Sequence, residues 1–286
     1  MRDIPDCSID MVLCDLPYGT TDCKWDNVIP FEMMWEQYNR IVKRNGAVVL
    51  FSAQPFTTRL IQSNLKNYKY NWYWKKNNVT GGIFCKYQPM RCIEDICVFY
   101  RKMPTYNPQG LIRLGAAVVH QPKTNNIYSE KKNHSIQTHT GYPKHLLEFS
   151  NEASNHKDRF HPTQKPVALL EYLIRTYTNR GDVVLDNCMG SGSTGVACVN
   201  TERKFIGMEL ENTYFNIAKQ RINSAVFSLP KITRGVADNG NNEAVETTQK
   251  RKGNNNSTVQ DFQRADTQRE RGRLLEGPEK NEVDLT

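Results

Sequence analysis

The chain has 286 residues, of which 38% are hydrophobic and 24% are charged, and its formal net charge is +8. This length fits one large domain or a smaller domain with an insert, and the longest apolar runs, such as residues 47–51, are strand-length, which excludes a membrane-spanning chain. The N-terminus lacks an apolar secretion signal and none of the eight cysteines forms a C-x-x-C pair, so we expect a cytoplasmic protein with no metal site.

The first hundred residues alternate between predicted strands and helices. The apolar run 9–14 indicates a buried strand and ends in the turn signal Asp15-Leu16-Pro17-Tyr18-Gly19. The next predicted elements are a helix over 31–42, a strand over 46–51, a helix over 56–65, and β-rich segments at 70–74 and 95–100. The aromatic residues around 70–74 lie among lysines, and they fit either a packed strand or a surface that stacks on unpaired bases.

The middle of the chain is basic. Residues 101–165 contain ten Lys or Arg against four Asp or Glu, and they include all six histidines. Their polar composition and weak periodicity predict an inserted segment. Its positive surface would suit a polyanion, although a solvated loop explains the charge equally well.

Strands and helices alternate again after this insert. An apolar stripe predicts a helix over 167–177, followed by a strand over 182–186, a helix from about Ser193, a strand over 204–208 and a helix over 212–222. This alternation indicates an α/β fold with a largely parallel sheet and helices on both faces. Residues 228–286 carry ten positive and ten negative side chains with few large apolar ones, which predicts a disordered tail.

A glycine-rich turn joins the strand at 182–186 to the helix after it. Gly190, Gly192 and Gly195 match the pattern G-x-G-x-x-G, in which glycines allow a close backbone approach and the helix N-terminus favours an anion. Glu209 ends the next strand, where its carboxylate can accept both hydroxyls of a ribose. The pattern fits an adenosine-containing ligand. It leaves open a dinucleotide oxidoreductase, an S-adenosylmethionine (SAM) methyltransferase and a turn that serves packing alone.

The turn after the first strand places a carboxylate, a backbone carbonyl and an aromatic ring together. Asp15 and the Leu16 carbonyl can accept two amino hydrogens, Pro17 fixes the turn, and Tyr18 can stack on a planar base. Acceptors of this kind make an exocyclic amine a better nucleophile, because they favour its cationic transition state. An ordinary strand-end turn is the alternative.

Several motifs together resemble the β class of DNA amino-methyltransferases. Asp15-Leu16-Pro17-Tyr18 is similar to the family's D-P-P-Y motif, and His161-Pro162-Thr163-Gln164-Lys165-Pro166 resembles its H-P-T-Q-K-P signature. Residues 186–195 resemble the family's D-P-F-x-G-S-G motif, residues 205–210 its following acidic strand, and residues 91–102 its last strand before the target-recognition region. The catalytic motif precedes the SAM motifs, as in the β class, and the resemblance covers residues 1–222.

The resemblance implies a seven-stranded, mostly parallel methyltransferase sheet with one antiparallel strand. Residues 1–102 would form the catalytic half, 103–158 the target-recognition insert, 159–227 the SAM-binding half and 228–286 the tail. Asp15 and the Leu16 carbonyl would act on the target amine, and Tyr18 would stack on a base flipped out of double-stranded DNA. The residues implied in SAM binding are Thr163, Lys165, Asp186, Gly190, Gly192, Ser193 and Glu209, with Gly190, Gly192 and Ser193 at the methionine end and Glu209 at the ribose.

The chain departs from the family pattern at three places. Leu16 replaces the first proline, which a backbone contact tolerates, and Asn187 and Cys188 replace a proline and a phenylalanine that would wall the SAM pocket. About twenty residues that family members carry before the segment at 4–10 are missing here. We therefore expect an N-terminally truncated chain with weakened SAM affinity, and an uncovered sheet edge along 204–208.

The target atom and partners follow only from the resemblance. No Pro-Cys dipeptide occurs, so cytosine C5 chemistry is not expected. Asp15 favours N6 of adenine, while N4 of cytosine and an inactive DNA-binding relic stay open. A phage or mobile-element origin, a homodimer and a cognate restriction endonuclease are compatible with the resemblance. A membrane partner is not expected.

Overall fold

A computed structural model describes residues 1–20, 26–120, 135–150, 164–228 and 281–285. The helices described are α1 (Phe31–Ile41), α2 (Phe56–Ser63), α3 (Val167–Tyr177), α4 (Ser193–Asn200) and α5 (Asn212–Ser228), with a 3-10 turn at Gly82–Phe84. The strands described are β1 (Ile9–Asp15), β2 (Val42–Ser52), β3 (Tyr68–Thr80), β4 (Arg91–Phe99), β5 (Ile112–His120), β6 (Ser135–Thr140), β7 (Leu146–Glu148), β8 (Val183–Asp186), β9 (Lys204–Glu209) and β10 (Asn281–Leu285).

Eight of these strands form one twisted sheet in the order β10-β9-β8-β1-β2-β4-β3-β7. Strands β9, β8, β1 and β2 are parallel, and β4 runs antiparallel to both of its neighbours. Strand β7 is parallel to β3, and β10 is antiparallel to β9. The expected mostly parallel seven-stranded sheet with one antiparallel strand is confirmed, and β10 adds an eighth strand at one edge.

The central strand β1 is buried on both faces. Val12 and Leu13 point to opposite sides of the sheet, and neither is exposed to solvent. Val12 packs in a core cluster with Met34 and Tyr38 of α1 and Leu60 of α2. This double burial explains why β1 is a continuous apolar run rather than an alternating one. None of the helices in the described ranges has the length and apolar character that a bilayer span requires.

The two tryptophans of β3 are buried in the protein interior. Trp72 and Trp74 are almost fully buried, and the Trp72 indole N–H donates to the Tyr177 hydroxyl at 2.6 Å. Tyr70 shares a 2.8 Å hydrogen bond with the same hydroxyl. The packed-strand interpretation is therefore correct for the tryptophans, and a base-stacking surface made of them is excluded.

The predicted insert is not wholly separate from the main sheet. Strands β5 and β6 form a two-stranded antiparallel sheet of their own. Strand β7, by contrast, adds to the main sheet beside β3, with Tyr73 opposite Leu146. The chain thus leaves the main sheet after β4, forms a small hairpin and returns to the outer edge of β3.

The prediction of an uncovered edge along residues 204–208 is wrong, and so is disorder for the last strand of the tail. Strand β10 pairs with β9 from Asn281 opposite Glu209 to Leu285 opposite Phe205. An edge strand offers unpaired backbone N–H and C=O groups, so any short extended segment can complete it. Composition averaged over residues 228–286 cannot reveal a five-residue strand. The rest of that predicted tail, residues 229–280 and Thr286, lies outside the described residues.

The parallel order of the strands brings the two turns that carry the predicted site residues to one edge of the sheet. Strands β1 and β8 are neighbours, so Asp15 and Asp186, which end them, lie at the same carboxyl edge of the sheet. In open α/β sheets ligands bind at this edge. Strand β3 also ends at this edge, because β4 reverses direction between β2 and β3.

Candidate active site

The turn after β1 is anchored by a buried leucine and by a tyrosine whose hydroxyl contacts two carboxylates. The side chain of Leu16 is buried, which anchors the turn in the core cluster. The Tyr18 ring packs against Phe56 with centroids 5.1 Å apart and planes tilted by 32°. Its hydroxyl lies 2.8 Å from Asp15 Oδ1 and 3.2 Å from Glu94 Oε1. A single hydroxyl hydrogen therefore serves two acceptors, and the tyrosine ties both carboxylates together.

Lys165 connects the H-P-T-Q-K-P segment to this turn. Its ammonium nitrogen lies 2.5 Å from Asp15 Oδ2 and 2.9 Å from Glu94 Oε1. It also lies 5.1 Å from the centre of the Phe51 ring, within cation–π distance. Glu94 is paired a second time, because Lys76 Nζ lies 2.7 Å from Glu94 Oε2. The result is a largely buried cluster of two carboxylates and two ammonium groups with no net charge when all four are ionised.

Burial and ion pairing have opposite effects on the pKa values of the groups in this cluster. Burial raises the pKa of Asp15; Lys165 lowers it, and the Glu94 carboxylate raises it further, so the net shift is upward. Burial also raises the pKa of Glu94, but Lys165 and Lys76 outweigh it and the net shift is downward. Burial lowers the pKa of Lys165, yet its two carboxylate neighbours raise it overall. Glu94 and Lys165 therefore stay charged, and Asp15 is the carboxylate closest to protonation.

The glycine-rich turn after β8 is shaped by left-handed backbone and close packing. Gly190 and Gly192 have φ values of 51° and 80°. A Cβ at Gly192 would lie 2.7 Å from the Cβ of Ala218 in α5, so this position excludes a side chain. A Cβ at Gly190 would meet nothing within 4 Å. The turn is thus packed against α5 on one side and open at Gly190 on the other.

Glu209 holds the open side of this turn. Its Oε2 accepts the Gly190 N–H at 2.8 Å, and its Oε1 accepts the Glu211 N–H at 3.0 Å. Each carboxylate oxygen can accept a further hydrogen bond. The carboxylate that the sequence predicts at the end of this strand therefore lies directly beside the predicted glycine turn.

Asp186 is an internal support of the turn. Its Oδ2 accepts the Thr194 hydroxyl at 2.6 Å, and its Oδ1 accepts the Cys188 N–H at 3.1 Å. Burial raises its pKa to about 6, although these hydrogen bonds oppose the shift. With both oxygens used inside the protein, Asp186 fixes the start of α4.

Arg221 of α5 reaches over the start of α4. Its Nη1 donates to the Ser191 carbonyl at 2.6 Å and lies 3.0 Å from Ser191 Oγ and 3.3 Å from Ser193 Oγ. Ser193 is buried at the first position of α4.

The two departures from the family motif beside this turn, Asn187 and Cys188, are accommodated by the structure. Asn187 accepts a hydrogen bond from the Tyr38 hydroxyl at 2.6 Å, and Cys188 packs against the core cluster.

The predicted site residues fall into two adjacent groups at the carboxyl edge. The first group contains Asp15, Leu16, Pro17, Tyr18 and Lys165, and the second contains Asp186, Gly190, Gly192, Ser193 and Glu209. The sequence places Lys165 with the cofactor group, whereas its contacts are with Asp15 and Glu94. Thr163 lies outside the described residues.

Sequence reasoning missed four residues that support one or the other of these groups. They are Glu94, Lys76, Arg221 and Tyr38. An acidic residue within the apolar strand β4 is a usable signal for Glu94, because a carboxylate is seldom buried without a partner. No sequence signal pairs it with Lys165, which lies on the other side of the insert.

Comparison with known proteins identifies the class. A family model for N6/N4 methyltransferases, described as DNA methylase, matches residues 9–220, and the chain belongs to this family. Membership confirms the resemblance to DNA amino-methyltransferases and excludes the nicotinamide-dependent oxidoreductase. The sheet is that of SAM-dependent methyltransferases.

Individual relatives agree with this class. The chain is 28% identical over 241 residues to the Type II methyltransferase M.HpaI of Haemophilus parainfluenzae, across 78% of this chain and 71% of that protein. It is 26% identical over 248 residues to the DNA adenine methyltransferase YhdJ of Escherichia coli (strain K12), across 79% and 80%. A crystal structure of an M1.HpyAVI–SAM complex matches with a TM-score of 0.52 and 27% identity, across 78% of this chain and 91% of that one.

Proposed function

We propose that this protein transfers a methyl group from SAM to the exocyclic N6 of adenine in double-stranded DNA. One observation carries the proposal: Asp15, the last residue of β1, and Tyr18, in the turn after it, lie at the same edge of the sheet as the glycine turn that follows the neighbouring strand β8. An acceptor for an amine and a cradle for a cofactor therefore share one edge of the sheet. The name of the relative YhdJ, and an Asp rather than a Ser at the first position of the motif, favour adenine over cytosine.

The glycine turn fits SAM in its donors, acceptors and open space. The N-terminus of α4 and the open side of Gly190 would hold the methionine end, with Gly192 and Ser193 shaping the backbone. The Glu209 carboxylate, held by two backbone N–H groups, would accept the ribose hydroxyls. Thr163 is proposed from its motif alone. When bound, SAM supplies an electrophilic methyl group.

The chain's own residues would prepare the target amine. The exocyclic nitrogen of adenine is a weak nucleophile because its lone pair is delocalised into the ring. Asp15 and the Leu16 carbonyl would accept its two hydrogens, and positive charge that develops on the nitrogen would be stabilised by the Asp15 carboxylate. Tyr18, already packed on Phe56, would present its ring to the base. Lys165 would keep Asp15 ionised and correctly oriented.

We propose to divide the chain by the source of these residues. The catalytic half, 1–102, contributes Asp15, Leu16, Pro17 and Tyr18, and the SAM half, 159–227, contributes the glycine turn, Glu209 and the Lys165 ammonium group that contacts Asp15. Residues 103–158 are proposed to recognise the DNA sequence, since they carry six Lys or Arg against four Asp or Glu and β5 and β6 form a hairpin separate from the main sheet. A homodimer and a cognate endonuclease are compatible with this assignment.

The deciding experiment uses purified protein, unmethylated DNA and SAM labelled in its methyl group. The DNA is digested to nucleosides and the labelled nucleoside is identified by mass spectrometry. Labelled N6-methyladenine supports the full proposal. Labelled N4-methylcytosine keeps the chemistry and changes the base. Absence of label from a folded, SAM-binding protein would instead support an inactive DNA-binding relic.

The cofactor site predicts a specific effect of Gly190→Ala. We expect SAM affinity to fall about tenfold or more, since a methyl group would occupy space needed by the ligand at a cost of about 1–3 kcal/mol. Gly181→Ala is the matched control, because Gly181 also has a positive φ, 82°, and open space around it, but lies before β8. Both variants should lose about 1–2 kcal/mol of stability, because alanine is strained in a left-handed backbone conformation. Calorimetric SAM titration that gave equal affinities for the two variants would contradict the assignment.

A further inference from the structure

The hairpin between β3 and β4 exposes an apolar tip. Its last paired residues are Thr80 and Arg91, and residues 81–90 form the tip. Ile83 is 86% exposed and Tyr87 is 87% exposed, more than any other large apolar side chain in the described ranges. Exposed apolar groups gathered in this way mark a binding surface more often than isolated ones do.

The tip has a defined backbone structure. A 3-10 turn spans Gly82–Phe84, and the Phe84 N–H donates to the Gly81 carbonyl at 3.0 Å. The Tyr87 N–H then donates to the Phe84 carbonyl at 2.8 Å. Ile83 and Tyr87 are therefore presented by hydrogen-bonded turns, so their exposure comes from a formed structure at the end of two paired strands.

The hairpin rises beside the candidate active site. Strand β3 runs in the same direction as β1, so the tip projects from the carboxyl edge that carries Asp15. Lys76 of β3 and Glu94 of β4 form the base of the hairpin, and both belong to the charged cluster around Lys165. The same two strands thus support the catalytic cluster and the exposed tip.

The positive charge of the residues around the tip favours a negatively charged partner. Residues 77–93 contain Lys86 and Arg91 and no Asp or Glu, whereas Lys75 and Lys76, nearer the sheet, are each paired with a glutamate. Lys86 and Arg91 would contact phosphates, and apolar side chains can enter a base stack. A second copy of the chain would bring like charges together at this surface, which disfavours self-association through the tip. Duplex DNA satisfies both the charge and the apolar character.

We propose that the β3–β4 hairpin is a DNA wedge whose Ile83 and Tyr87 enter the base stack and occupy the space vacated by the flipped target base. The proposal rests on the proposed function, since it assumes a base that must leave the duplex. Flipping a paired base costs a few kcal/mol, and less when the base is mismatched. A wedge would offset that cost, so its loss should matter most on a fully paired target.

The test compares the double variant Ile83→Ser/Tyr87→Ser with Leu65→Ser on two duplexes. Leu65 is a matched control, because it is 66% exposed but precedes β3 at the opposite edge of the sheet. One duplex carries the methylated site, mapped by sequencing the labelled product, and the other replaces the partner of the target base by an abasic residue. On the paired duplex we expect the double variant to lose about 10-fold to 100-fold in kcat/KM, and on the abasic duplex to approach wild type.

The outcomes separate the wedge from the enzyme activity. Equal losses on both duplexes, or a loss as large in Leu65→Ser, would overturn the wedge while leaving methyl transfer intact. If the wild-type protein methylates no DNA, the proposed function fails and no site can be mapped. Binding titrations then compare a paired duplex of mixed sequence with the same duplex carrying an abasic residue, and the double variant should bind the paired duplex more weakly than wild type while keeping wild-type affinity for the abasic one. A preference between the duplexes unchanged by the substitutions would refute the wedge.

Discussion

Asp15→Asn is expected to lower the rate of methyl transfer by about 10²- to 10⁴-fold while SAM still binds. Asparagine has the shape of aspartate but no negative charge, and it directs an N–H group towards an amine that needs acceptors. It would also remove the partner of Lys165 on Oδ2. Because the SAM group of residues lies around Gly190 and Glu209, the cofactor site should survive the change. Single-turnover kinetics and a SAM titration measure the two properties separately.

Asp10→Asn is the matched control for this variant. Asp10 lies near the other end of β1 and is also paired with a lysine, since Lys43 Nζ lies 2.7 Å from its Oδ1. It accepts the Val183 N–H at 3.0 Å as well. Its replacement should affect stability without reaching the target amine. Turnover within a few-fold of wild type in Asp15→Asn, or an equal loss in Asp10→Asn, would remove Asp15 from the catalytic role.

The sequence predicted those parts of the fold that depend on local patterns. The apolar run of β1, the stripe of α3 and the glycine turn before α4 each have a signature within a short segment, and each forms where expected. Parallel order then places the ends of β1 and β8 together without further information. Strand β10 escaped prediction because its register depends on the exposed edge of β9, a distant partner.

The contacts of the charged cluster could not be predicted from local sequence patterns. Lys165 is recognisable from its motif, but the motif does not say which anion it meets. Glu94 is one of two adjacent acidic residues in β4, and its two cationic partners come from β3 and from the segment before α3. Such contacts arise only when three distant segments converge. The sequence therefore identified Asp15 and Tyr18 as residues with a chemical role, but it did not identify the contacts that control the ionisation of Asp15.

Lys165→Met is the second variant with a large expected effect. It would leave Asp15 and Glu94 as two carboxylates near each other, with Lys76 paired only to Glu94. Removal of one partner from a buried ion pair typically costs about 3–5 kcal/mol. The favoured response is protonation of Asp15, because burial already raises its pKa and Glu94 raises it further. Asp186, at the end of the neighbouring β8, is the next carboxylate that interacts with Asp15.

The sign of the pH effect follows from this response. Methyl transfer needs ionised Asp15, so the rate falls as the pH drops through the pKa of that carboxyl. Lys165 lowers this pKa in the wild type. Without Lys165 the pKa rises, and the acid limb of the rate profile moves to higher pH. An acid with a raised pKa in the folded state stabilises the fold at low pH and loses that contribution as the pH rises through its folded-state pKa. The stability lost in Lys165→Met should therefore be largest at neutral pH and shrink on acidification.

Two further variants separate electrostatic control from simple packing. Lys165→Arg keeps a cation beside Asp15 and should leave the acid limb near its wild-type position, even if altered geometry lowers the maximal rate. Lys76→Met removes a cation that pairs with Glu94 at 2.7 Å, and it preserves the Lys165–Asp15 contact, so its acid limb should move less than that of Lys165→Met. The measurements are kcat and the free energy of unfolding as functions of pH. If Lys165→Met kept the wild-type acid limb and lost the same stability at every pH, Lys165 would be a packing residue with no control over Asp15. A shifted limb that Lys165→Arg reverses would instead show that the charge of Lys165 keeps the amine acceptor ionised.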